Sequence, residues 1–307
     1  MREFDHESNV ALYRDHRGKE CQLKIGIGLP NPVPDTDGDT LVEWARRAEA
    51  AGFSTLATID RIVYPSYDSL ISLAASAAVT ERIGLMTNIL IAPVRDEVLL
   101  AKEAASVHRL SNGRLTLGLA VGGRRDDYAA VGDEFETRGR RFEQQLEVMR
   151  KVWRGEQLSD TQQPSVPLPG SEVPIMIGGA NDKAVERAVK FGIGYTAGGG
   201  GPDMVGPFME KVRKAWTEAG RDGEPRLMAL SYFALGPDAK EGAARYLKDY
   251  YGFLGEWADR IVESAPTTPD AIKGRVDAFE AVGIDELILD PTIAEIDQVD
   301  QLAEALL

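Results

Sequence analysis

The stretch IGLMTNILIAPVRDEVLLAKEAASVHRLSNGRLTLGLA (83–120) decides the fold class of this chain. Two short apolar runs, residues 83–91 and 114–120, flank a segment of helical spacing, Asp96–Leu110, and Asn112-Gly113 then supplies a typical helix-stop pair. The positions of this segment that are predicted to face the core are Leu99, Leu100, Ala104 and Val107. A strand, a helix and a second strand in this order predict one parallel βαβ unit.

The same alternation repeats along the chain from residue 23 onward. The apolar runs that predict strands are QLKIGIGL (22–29), STLATI (54–59), IGLMTNILI (83–91), RLTLGLA (114–120), VPIMIG (173–178), IGYTA (193–197), RLMALSYFAL (226–235) and DELILD (285–290). The segments of helical spacing are Asp39–Ala51, Tyr67–Ala78, Asp96–Leu110, Thr137–Trp153, Asn181–Lys190, Pro202–Glu218, Pro269–Val282 and Gln298–Leu307. Eight strands that alternate strictly with eight helices favour a closed (β/α)8 TIM barrel over an open sheet.

Two stretches exceed what a minimal barrel needs. Glu156–Glu172 has the composition of an irregular excursion before the fifth strand, and Pro237–Ser264 reads as a helical insertion after the seventh. Because insertions at the carboxyl ends of barrel strands usually shape the active site, we expect them at the C-terminal face. We predict a barrel domain over residues 23–307, preceded by a flexible N-terminal extension, residues 1–22.

Composition restricts the classes of partner. The formal net charge of −14 and the pI of about 4.8 disfavour nucleic acid and anionic membranes, so a small molecule is the expected partner. No apolar run approaches the roughly 18–20 residues of a membrane span, and no secretory signal pattern is visible, which predicts a cytoplasmic location.

Metal and nucleophile chemistry lack candidate residues. The single cysteine, Cys21, excludes an intramolecular disulfide and a multi-cysteine metal site. The three histidines, His6, His16 and His108, form neither a clustered metal set nor an obvious catalytic triad. We therefore predict no metal and expect a bound cofactor to supply any redox chemistry.

A glycine pair ends the fifth predicted strand in VPIMIGGANDKA (173–184). Gly178 and Gly179 precede a first helical turn that starts at Ala180, and the N–H groups of helix N-termini bind anions such as phosphate. The alternative is an ordinary turn into the helix, capped by Asn181.

A second glycine cluster, AGGGGP (197–202), joins the sixth strand to its helix. The main-chain amides of Gly198 and Gly199 could wrap an anion, with the hydroxyl of Thr196 as a further donor. The alternative is a flexible loop. Just before these glycines, Gly192, Gly194 and Ala197 superficially spell G-x-G-x-x-A, but these residues follow a helix and span a strand, so they are not a Rossmann dinucleotide fingerprint.

Polar residues at strand ends complete the candidate site. Thr87 and Asn88 lie in an otherwise apolar strand and need hydrogen-bond partners, either a ligand or local partners in the core. Val121 and Gly122 follow the fourth strand, where a missing side chain would let a flat ring approach the backbone. Weaker candidates for the pocket lining are Tyr64, Tyr67, Tyr232, Phe233 and Asp290, of which only one of the adjacent Tyr232 and Phe233 can point into the barrel.

Charged residues lie beside these strand ends. Asp60-Arg61 closes the second strand and could form a structural ion pair, or Arg61 could hold a substrate anion. Arg124 and Arg125 start a helix at the rim, where either could bind a phosphate or a carboxylated substrate, or simply be exposed.

Several stretches resemble the luciferase-like monooxygenase superfamily, whose members are flavin- and deazaflavin-dependent oxidoreductases built on TIM barrels. The stretches are TIDR (58–61), YPSYDSLISLAASAAVTERIGLMTNILIAPVRDEVLLAKEAASVHRLSNGRLTLGLAVGGRRDDYAAVG (64–132), RGRRFEQQLEVMRKVW (138–153) and VPIMIGG (173–179). The resemblance extends from about residue 23 to 290 and is densest between 64 and 153.

The resemblance implies roles for some of these residues. It places the cofactor phosphate near Gly178 and Gly179, and Thr87 or Asn88 against the isoalloxazine, in some members beside a non-prolyl cis peptide. Deazaflavin-dependent members typically have Asp-His where this chain has Asp60-Arg61. Because an arginine does not deprotonate in proteins, the acid–base role of that histidine does not transfer to Arg61.

Together with the candidate residues, the resemblance implies a monooxygenase that uses reduced FMN and oxygen on a small organic substrate, with a separate flavin reductase as a possible partner and, as in many family members, a homodimeric state. The alternatives are a coenzyme F420-dependent oxidoreductase that transfers hydride, and a non-catalytic flavin-binding barrel. The predicted catalytic residues are Asp60, Arg61 and Asn88. The predicted cofactor-binding residues are Thr87, Asn88, Val121, Gly122, Gly178, Gly179, Ala180, Thr196, Gly198 and Gly199.

Overall fold

Eight parallel strands close into a barrel in chain order, with the last strand paired to the first. The computed structural model describes residues 13–14, 20–21, 23–158, 163–167 and 172–307. The barrel strands are β1 Lys24–Gly28, β2 Thr55–Thr58, β3 Gly84–Ile91, β4 Leu115–Ala120, β5 Ile175–Gly178, β6 Gly194–Ala197, β7 Arg226–Phe233 and β8 Glu286–Pro291. The prediction of a (β/α)8 barrel is confirmed.

Helices connect and surround the strands. They are α1 Gly38–Ala51, α2 Ser69–Val79, α3 Glu97–Leu110, α4 Arg125–Ala130, α5 Arg138–Trp153, α6 Asp182–Phe191, α7 Pro202–Glu218, α8 Ala239–Tyr251, α9 Glu256–Ser264, α10 Pro269–Ala281 and α11 Asp297–Leu306. Aspartates cap the first three helices. The side chains of Asp37, Asp68 and Asp96 accept hydrogen bonds from backbone N–H groups in the first turns of α1, α2 and α3, respectively. Of these helices, only the short α4 had no sequence prediction.

Leu99 is a wrong prediction within α3. Its side chain is exposed, whereas Leu100, Ala104 and Val107 are buried as predicted. The buried stripe of α3 also includes Ala101 and Ala105, so the core-facing side of the helix is rotated away from Leu99.

The interior of the barrel is filled in layers. One layer near the middle is a cluster of apolar side chains from alternate positions of the strands, Ala57, Met86, Met176, Met228 and Ile288. Because side chains alternate in direction along a strand, the residues two positions further on point inward one layer higher, towards the C-terminal face. That next layer contains the candidate site.

The predicted insertion after the seventh strand is confirmed as helical. It consists of α8, a 3-10 turn Gly252–Leu254 and α9. The predicted excursion Glu156–Glu172 lies partly outside the described residues. Of the predicted N-terminal extension, the structure describes only Tyr13–Arg14 and Glu20–Cys21, which pair as two short antiparallel strands, and the remainder lies outside the described residues. Among the described helices, none combines the length and apolar character that crossing a membrane requires.

Close approach of strands makes Gly118 in β4 sensitive to substitution. A Cβ atom at Gly118 would lie 2.0 Å from the carbonyl oxygen of Thr87. We expect Gly118→Ala to lower the free energy of unfolding by about 1–3 kcal/mol through overpacking. Gly274→Ala is the matched control, because no atom within 4 Å would meet its Cβ and it lies inside α10. The control should raise the free energy of unfolding by roughly 0.5–1 kcal/mol. Urea unfolding measures both, and equal effects would contradict the steric explanation.

Candidate active site

A cavity of about 290 Å³ opens at the carboxyl ends of the strands, and we call it the axial pocket. Its wall is mainly apolar and aromatic, with a few charged and amide groups. The lining residues are Ile59, Asp60, Arg61, Asn88, Ile89, Leu90, Ile91, Ala120, Gly122, Gly123, Arg124, Asp127, Gly198, Gly199, Leu230, Tyr232, Tyr250, Tyr251 and Phe253. A concave site with a few polar groups among apolar ones is typical of small-molecule binding.

Asn88 presents a polar group to the axial pocket. Its Oδ1 accepts a hydrogen bond of 2.9 Å from the Thr196 hydroxyl, while its Nδ2 is buried without a hydrogen-bond partner. The peptide bond between Asn88 and Ile89 is cis, at an irregularity in the pairing of β3 with β4. Thr196, which was predicted to donate its hydroxyl to an anion, is fully buried. Its hydroxyl donates to Asn88 and thereby orients that side chain.

Thr87 does not line the axial pocket. Strand alternation directs Met86 into the barrel interior and Thr87 away from it, and the Thr87 hydroxyl donates a 2.8 Å hydrogen bond to the carbonyl oxygen of Gly118. Of the two polar residues in this strand, the structure therefore brings only Asn88 to the pocket. The alternative of a pair that is satisfied locally in the core holds for Thr87, but not for Asn88, because Nδ2 of Asn88 has no partner.

Asp60 is bound to Arg95. One carboxylate oxygen accepts a 2.9 Å hydrogen bond from Arg95 Nη2 and the other accepts a 2.9 Å bond from the amide of Ile91. Burial raises the pKa of Asp60, and the charge of Arg95 opposes that rise. Both residues form structural ion pairs, but the suggested pairing of Asp60 with Arg61 is wrong, because Asp60 is paired with Arg95 and Arg61 with the aspartates of α4.

Arg61 is bound to two aspartates of α4. Its Nε lies 3.1 Å from an oxygen of the fully buried Asp127, and its Nη2 lies 3.1 Å from Asp126. The other carboxylate oxygen of Asp127 accepts hydrogen bonds from the amides of Ile62 and Val63. One buried carboxylate therefore fixes both the arginine and the loop that follows β2.

The predicted glycines fall into two groups. Gly198 and Gly199 line the axial pocket, and a Cβ at either would meet no atom within 4 Å. At Gly178, in contrast, a Cβ would lie 2.0 Å from Cδ1 of Ile89, so the side chain of Ile89 fills the space that was predicted for a ligand. Gly179 has a φ of 129°, which favours glycine whatever lies nearby.

The start of α6 is a capped helix terminus outside the axial pocket. Ala180 is exposed, and Oδ1 of Asn181 accepts a 3.0 Å hydrogen bond from the amide of Ala184. The capping alternative for this turn is confirmed. Gly178, Gly179 and Ala180 do not belong to the pocket lining.

The end of β4 contributes backbone to the pocket. Gly122 lines it with a φ of 67°, and a Cβ there would lie 2.9 Å from the side chain of Ile91. Val121 is half-buried against the main core, and its carbonyl oxygen accepts a 2.5 Å hydrogen bond from the Tyr128 hydroxyl. The structure therefore brings Gly122 to the pocket lining, but Val121 does not belong to that lining.

Aromatic residues from β7 and the helical insertion form one wall. Tyr232 points into the pocket, and its hydroxyl lies 2.6 Å from that of Tyr251. Phe233, the adjacent residue, packs in the main core, as strand alternation requires. Burial raises the pKa of Tyr232, Tyr250 and Tyr251, so all three phenols are neutral at physiological pH.

Asp290 is a buried carboxyl group without an ion-pair partner in the described part of the chain. It lies opposite Tyr232 in the pairing of β8 with β7, and its Oδ2 has no hydrogen-bond partner. Its Oδ1 occupies the space that Gly28 leaves, since a Cβ there would lie 1.7 Å away. Burial holds the pKa of Asp290 well above its usual range, which favours the neutral form of this carboxyl group.

Sequence reasoning missed several residues that line the pocket and one that pairs with a lining residue. Arg95 follows a predicted strand and starts no motif, so nothing marked it as the partner of Asp60. Ile89 is an ordinary apolar strand residue in the sequence. Tyr250 and Tyr251 were recognised only as part of a helical insertion, although two adjacent tyrosines at the C-terminal face of a barrel were a usable signal.

Comparison with known proteins identifies the family of this chain. A sequence profile described as luciferase-like monooxygenase matches residues 23–304. The chain belongs to the luciferase-like monooxygenase family. The resemblance predicted from the sequence is therefore confirmed, and membership in this family supports an oxidoreductase.

Two sequence relatives cover most of the chain. It is 23% identical over 295 residues to the oxygenase component of a flavin-dependent trigonelline monooxygenase from Acinetobacter baylyi, covering 81% of each protein. It is 25% identical over 287 residues to an FMNH2-dependent dimethylsulfone monooxygenase from Pseudomonas fluorescens, covering 78% of this chain and 79% of that protein.

A solved structure shares the barrel. An F420-dependent secondary alcohol dehydrogenase, in complex with an F420–acetone adduct, superimposes with a TM-score of 0.76 at 17% identity, covering 92% of this chain and 98% of that chain. At this level of identity the likeness shows the fold alone.

The raised pKa of Asp290 predicts a pH dependence of stability. In the unfolded chain the carboxyl group has a pKa of about 3.9, so it loses its proton at lower pH than in the folded protein. The wild type should lose stability as the pH rises above about 4, whereas Asp290→Asn lacks this loss. We expect the stability of the variant relative to wild type to increase with pH by up to about 1.4 kcal/mol per unit. Urea unfolding from acid to neutral pH measures the difference, and a decrease with pH would contradict a neutral Asp290.

Proposed function

We propose that this protein is the oxygenase component of a two-component monooxygenase that uses reduced FMN and oxygen on a small organic substrate. The two sequence relatives that support this proposal are named as a flavin-dependent and an FMNH2-dependent monooxygenase, and one of them is named as an oxygenase component. A separate flavin reductase would then be the partner that supplies the reduced cofactor. The homodimeric state and the cytoplasmic location stay predictions.

The observation that carries the proposal is the unpartnered amide nitrogen of Asn88 in the axial pocket. A buried N–H donor without an acceptor is costly, so such a group in a pocket indicates a ligand that brings an acceptor. A flavin ring carries carbonyl oxygens and ring nitrogens at its edge and has apolar faces. The residues of the pocket therefore fit this cofactor: an amide donor stands among apolar and aromatic side chains.

Backbone groups fit the remainder of the cofactor. The glycines of the β6 end, Gly198 and Gly199, leave open space beside their main-chain amides. Such amides can surround a phosphate without a side chain in the way. We propose that they hold the phosphate-bearing tail, and that Asn88 holds the edge of the ring.

When bound, reduced FMN supplies the two electrons with which one atom of O2 enters the substrate and the other is released as water. The side chains of this chain would bind and shield the reacting groups. Tyr232, Tyr250 and Tyr251 would exclude water from the pocket, which protects reactive species from side reactions. Asp60 and Arg61 have protein partners for their charged groups, so we propose that they position the pocket wall rather than transfer protons.

A second candidate function is hydride transfer with coenzyme F420. Asp60 lines the pocket at the place where the deazaflavin-dependent members resembled by this chain have Asp-His. The residue that follows, Arg61, is bound to Asp126 and Asp127 and does not exchange a proton. We therefore rank this function second.

Anaerobic titration of the purified protein with reduced FMN and, separately, with F420 tests the proposal. We expect reduced FMN to bind and F420 not to bind, and we expect oxygen uptake with a flavin reductase to rise above the uncoupled background on an accepted substrate. Binding of F420 without FMN would favour hydride transfer. Binding of FMN without any substrate-dependent oxygen uptake would favour the non-catalytic flavin-binding barrel.

Asn88→Ala removes the donor that carries the proposal. We expect it to weaken binding of reduced FMN by roughly 3- to 10-fold, because one net hydrogen bond is lost. Thr87→Ala is the matched control, since it removes a buried hydrogen bond from the adjacent residue but does not touch the pocket. The control should keep wild-type affinity. Equal affinity in both variants would count against Asn88 as a cofactor ligand.

Gly198→Val fills the open space beside the proposed phosphate site. Gly198 has ordinary backbone angles and no neighbour within 4 Å of a Cβ, so the barrel should keep its stability. We expect affinity for reduced FMN to fall at least about tenfold, which corresponds to 1.4 kcal/mol. Gly179 offers no equally clean test, because its positive φ would strain any side chain. Unchanged affinity of the Gly198 variant would place the phosphate elsewhere.

A further inference from the structure

The charges that line the axial pocket are not balanced. Asp60 is paired with Arg95, and Arg61 is paired with Asp126 and Asp127. Arg124 also lines the pocket, but no carboxylate lies within ion-pair distance of it in the described part of the chain. It is therefore the cation of this lining that lacks an acidic partner.

Aromatic rings hold Arg124 in place. Its guanidinium carbon lies 3.8 Å from the ring centroid of Phe253 and 4.8 Å from that of Tyr250, and its Nη2 donates a hydrogen bond to the carbonyl oxygen of Tyr250. A guanidinium group carries five N–H donors, so this single hydrogen bond leaves most of them for a ligand. The side chain is thus oriented before any ligand arrives.

The environment of Arg124 favours an anion. Burial and the nearby charge of Arg61 lower its pKa, which means that the surroundings disfavour a second positive charge. A bound anion relieves both effects. Because the whole chain has a net charge of −14, a negatively charged ligand needs such a local cation to enter the pocket.

The neighbouring Arg125 differs from Arg124 in its exposure, its ion pairing and its position relative to the pocket. Its side chain is 71% exposed, it forms an ion pair with Glu136, and it stacks over Phe135 outside the pocket lining. Two adjacent arginines that the sequence cannot distinguish therefore have different surroundings. The pair supplies a test residue and a matched control.

We propose that Arg124 is an anion subsite of the axial pocket and that the substrate carries a carboxylate on a small, flat, apolar body. A planar guanidinium matches the two oxygens of a carboxylate, and the rings of Tyr232 and Tyr251 accommodate an apolar or aromatic body beside it. The inference rests on the proposed function in placing the substrate beside the cofactor.

The phosphate of the cofactor is the other anion that could reach Arg124, and competition distinguishes the two sources. In this inference the phosphate lies at Gly198 and Gly199, so saturation with FMN should leave carboxylate binding intact. Displacement of the carboxylate by FMN, together with weaker FMN binding after Arg124→Gln, would overturn the inference.

Benzoate and benzamide are suitable probes, because they have nearly the same shape and differ in charge. Calorimetric titration of the full chain, with and without FMN, measures their affinities. We expect benzoate to bind wild type at least about tenfold more tightly than benzamide, as charge-assisted hydrogen bonds predict. Arg124→Gln should abolish this preference, and Arg125→Gln should retain it. Absence of the preference in wild type, or its loss in both variants, would overturn the inference.

Arg124→Lys separates binding from folding. It keeps the charge and loses most of the stacking on Phe253, so we expect it to retain a benzoate preference of at least about threefold. A purely structural role predicts instead that Lys and Gln variants melt at equally lowered temperatures while keeping the wild-type preference for benzoate. If the protein binds neither FMN nor F420 but keeps an Arg124-dependent preference for benzoate, the proposed function fails and the anion subsite stands.

Discussion

The buried ion pair between Arg61 and Asp127 determines the geometry of the pocket wall. The two side chains are 5% and 0% exposed, so neither charge is solvated by bulk water. Such a pair is stable only with good geometry and further hydrogen bonds, and removing one partner generally costs about 3–5 kcal/mol. Asp127 meets this requirement because its carboxylate also accepts hydrogen bonds from the backbone amides of Ile62 and Val63. The pair thereby joins the loop after β2 to α4, which starts next to Arg124.

Two buried carboxyl groups of this face illustrate how the surroundings set the charge. Asp60 has a cation and a backbone amide as partners, so its charge is compensated despite burial. Asp290 has neither, and burial alone raises its pKa, which favours the neutral form. The same residue type therefore has a charged partner after one strand and none within another.

The barrel was predictable because it depends on periodicity. The alternation of apolar runs with helical segments located every barrel strand, and the polar interruption at Asn88 marked the pocket. Partnerships were not predictable in the same way. Arg95 and Asp127 lie 35 and 66 residues from Asp60 and Arg61, and only the closed barrel brings them together. Glycines were misleading for a related reason. Gly178 is needed because the side chain of Ile89 packs against it, and the sequence alone does not distinguish this packing requirement from a ligand site.

The groups proposed to bind the cofactor and those proposed to bind the substrate anion lie on different parts of the fold. Groups that would recognise a cofactor, Asn88 and the backbone of Gly198 and Gly199, belong to barrel strands or to the residues directly after them, so the closed sheet fixes their positions. The groups around Arg124 come from α8 and the turn after it, which the barrel does not require. A change in this insertion alters the aromatic surroundings of the cation and leaves the strand ends in place. The insertion can therefore vary without moving Asn88, Gly198 or Gly199, because the sheet fixes the positions of the strand ends.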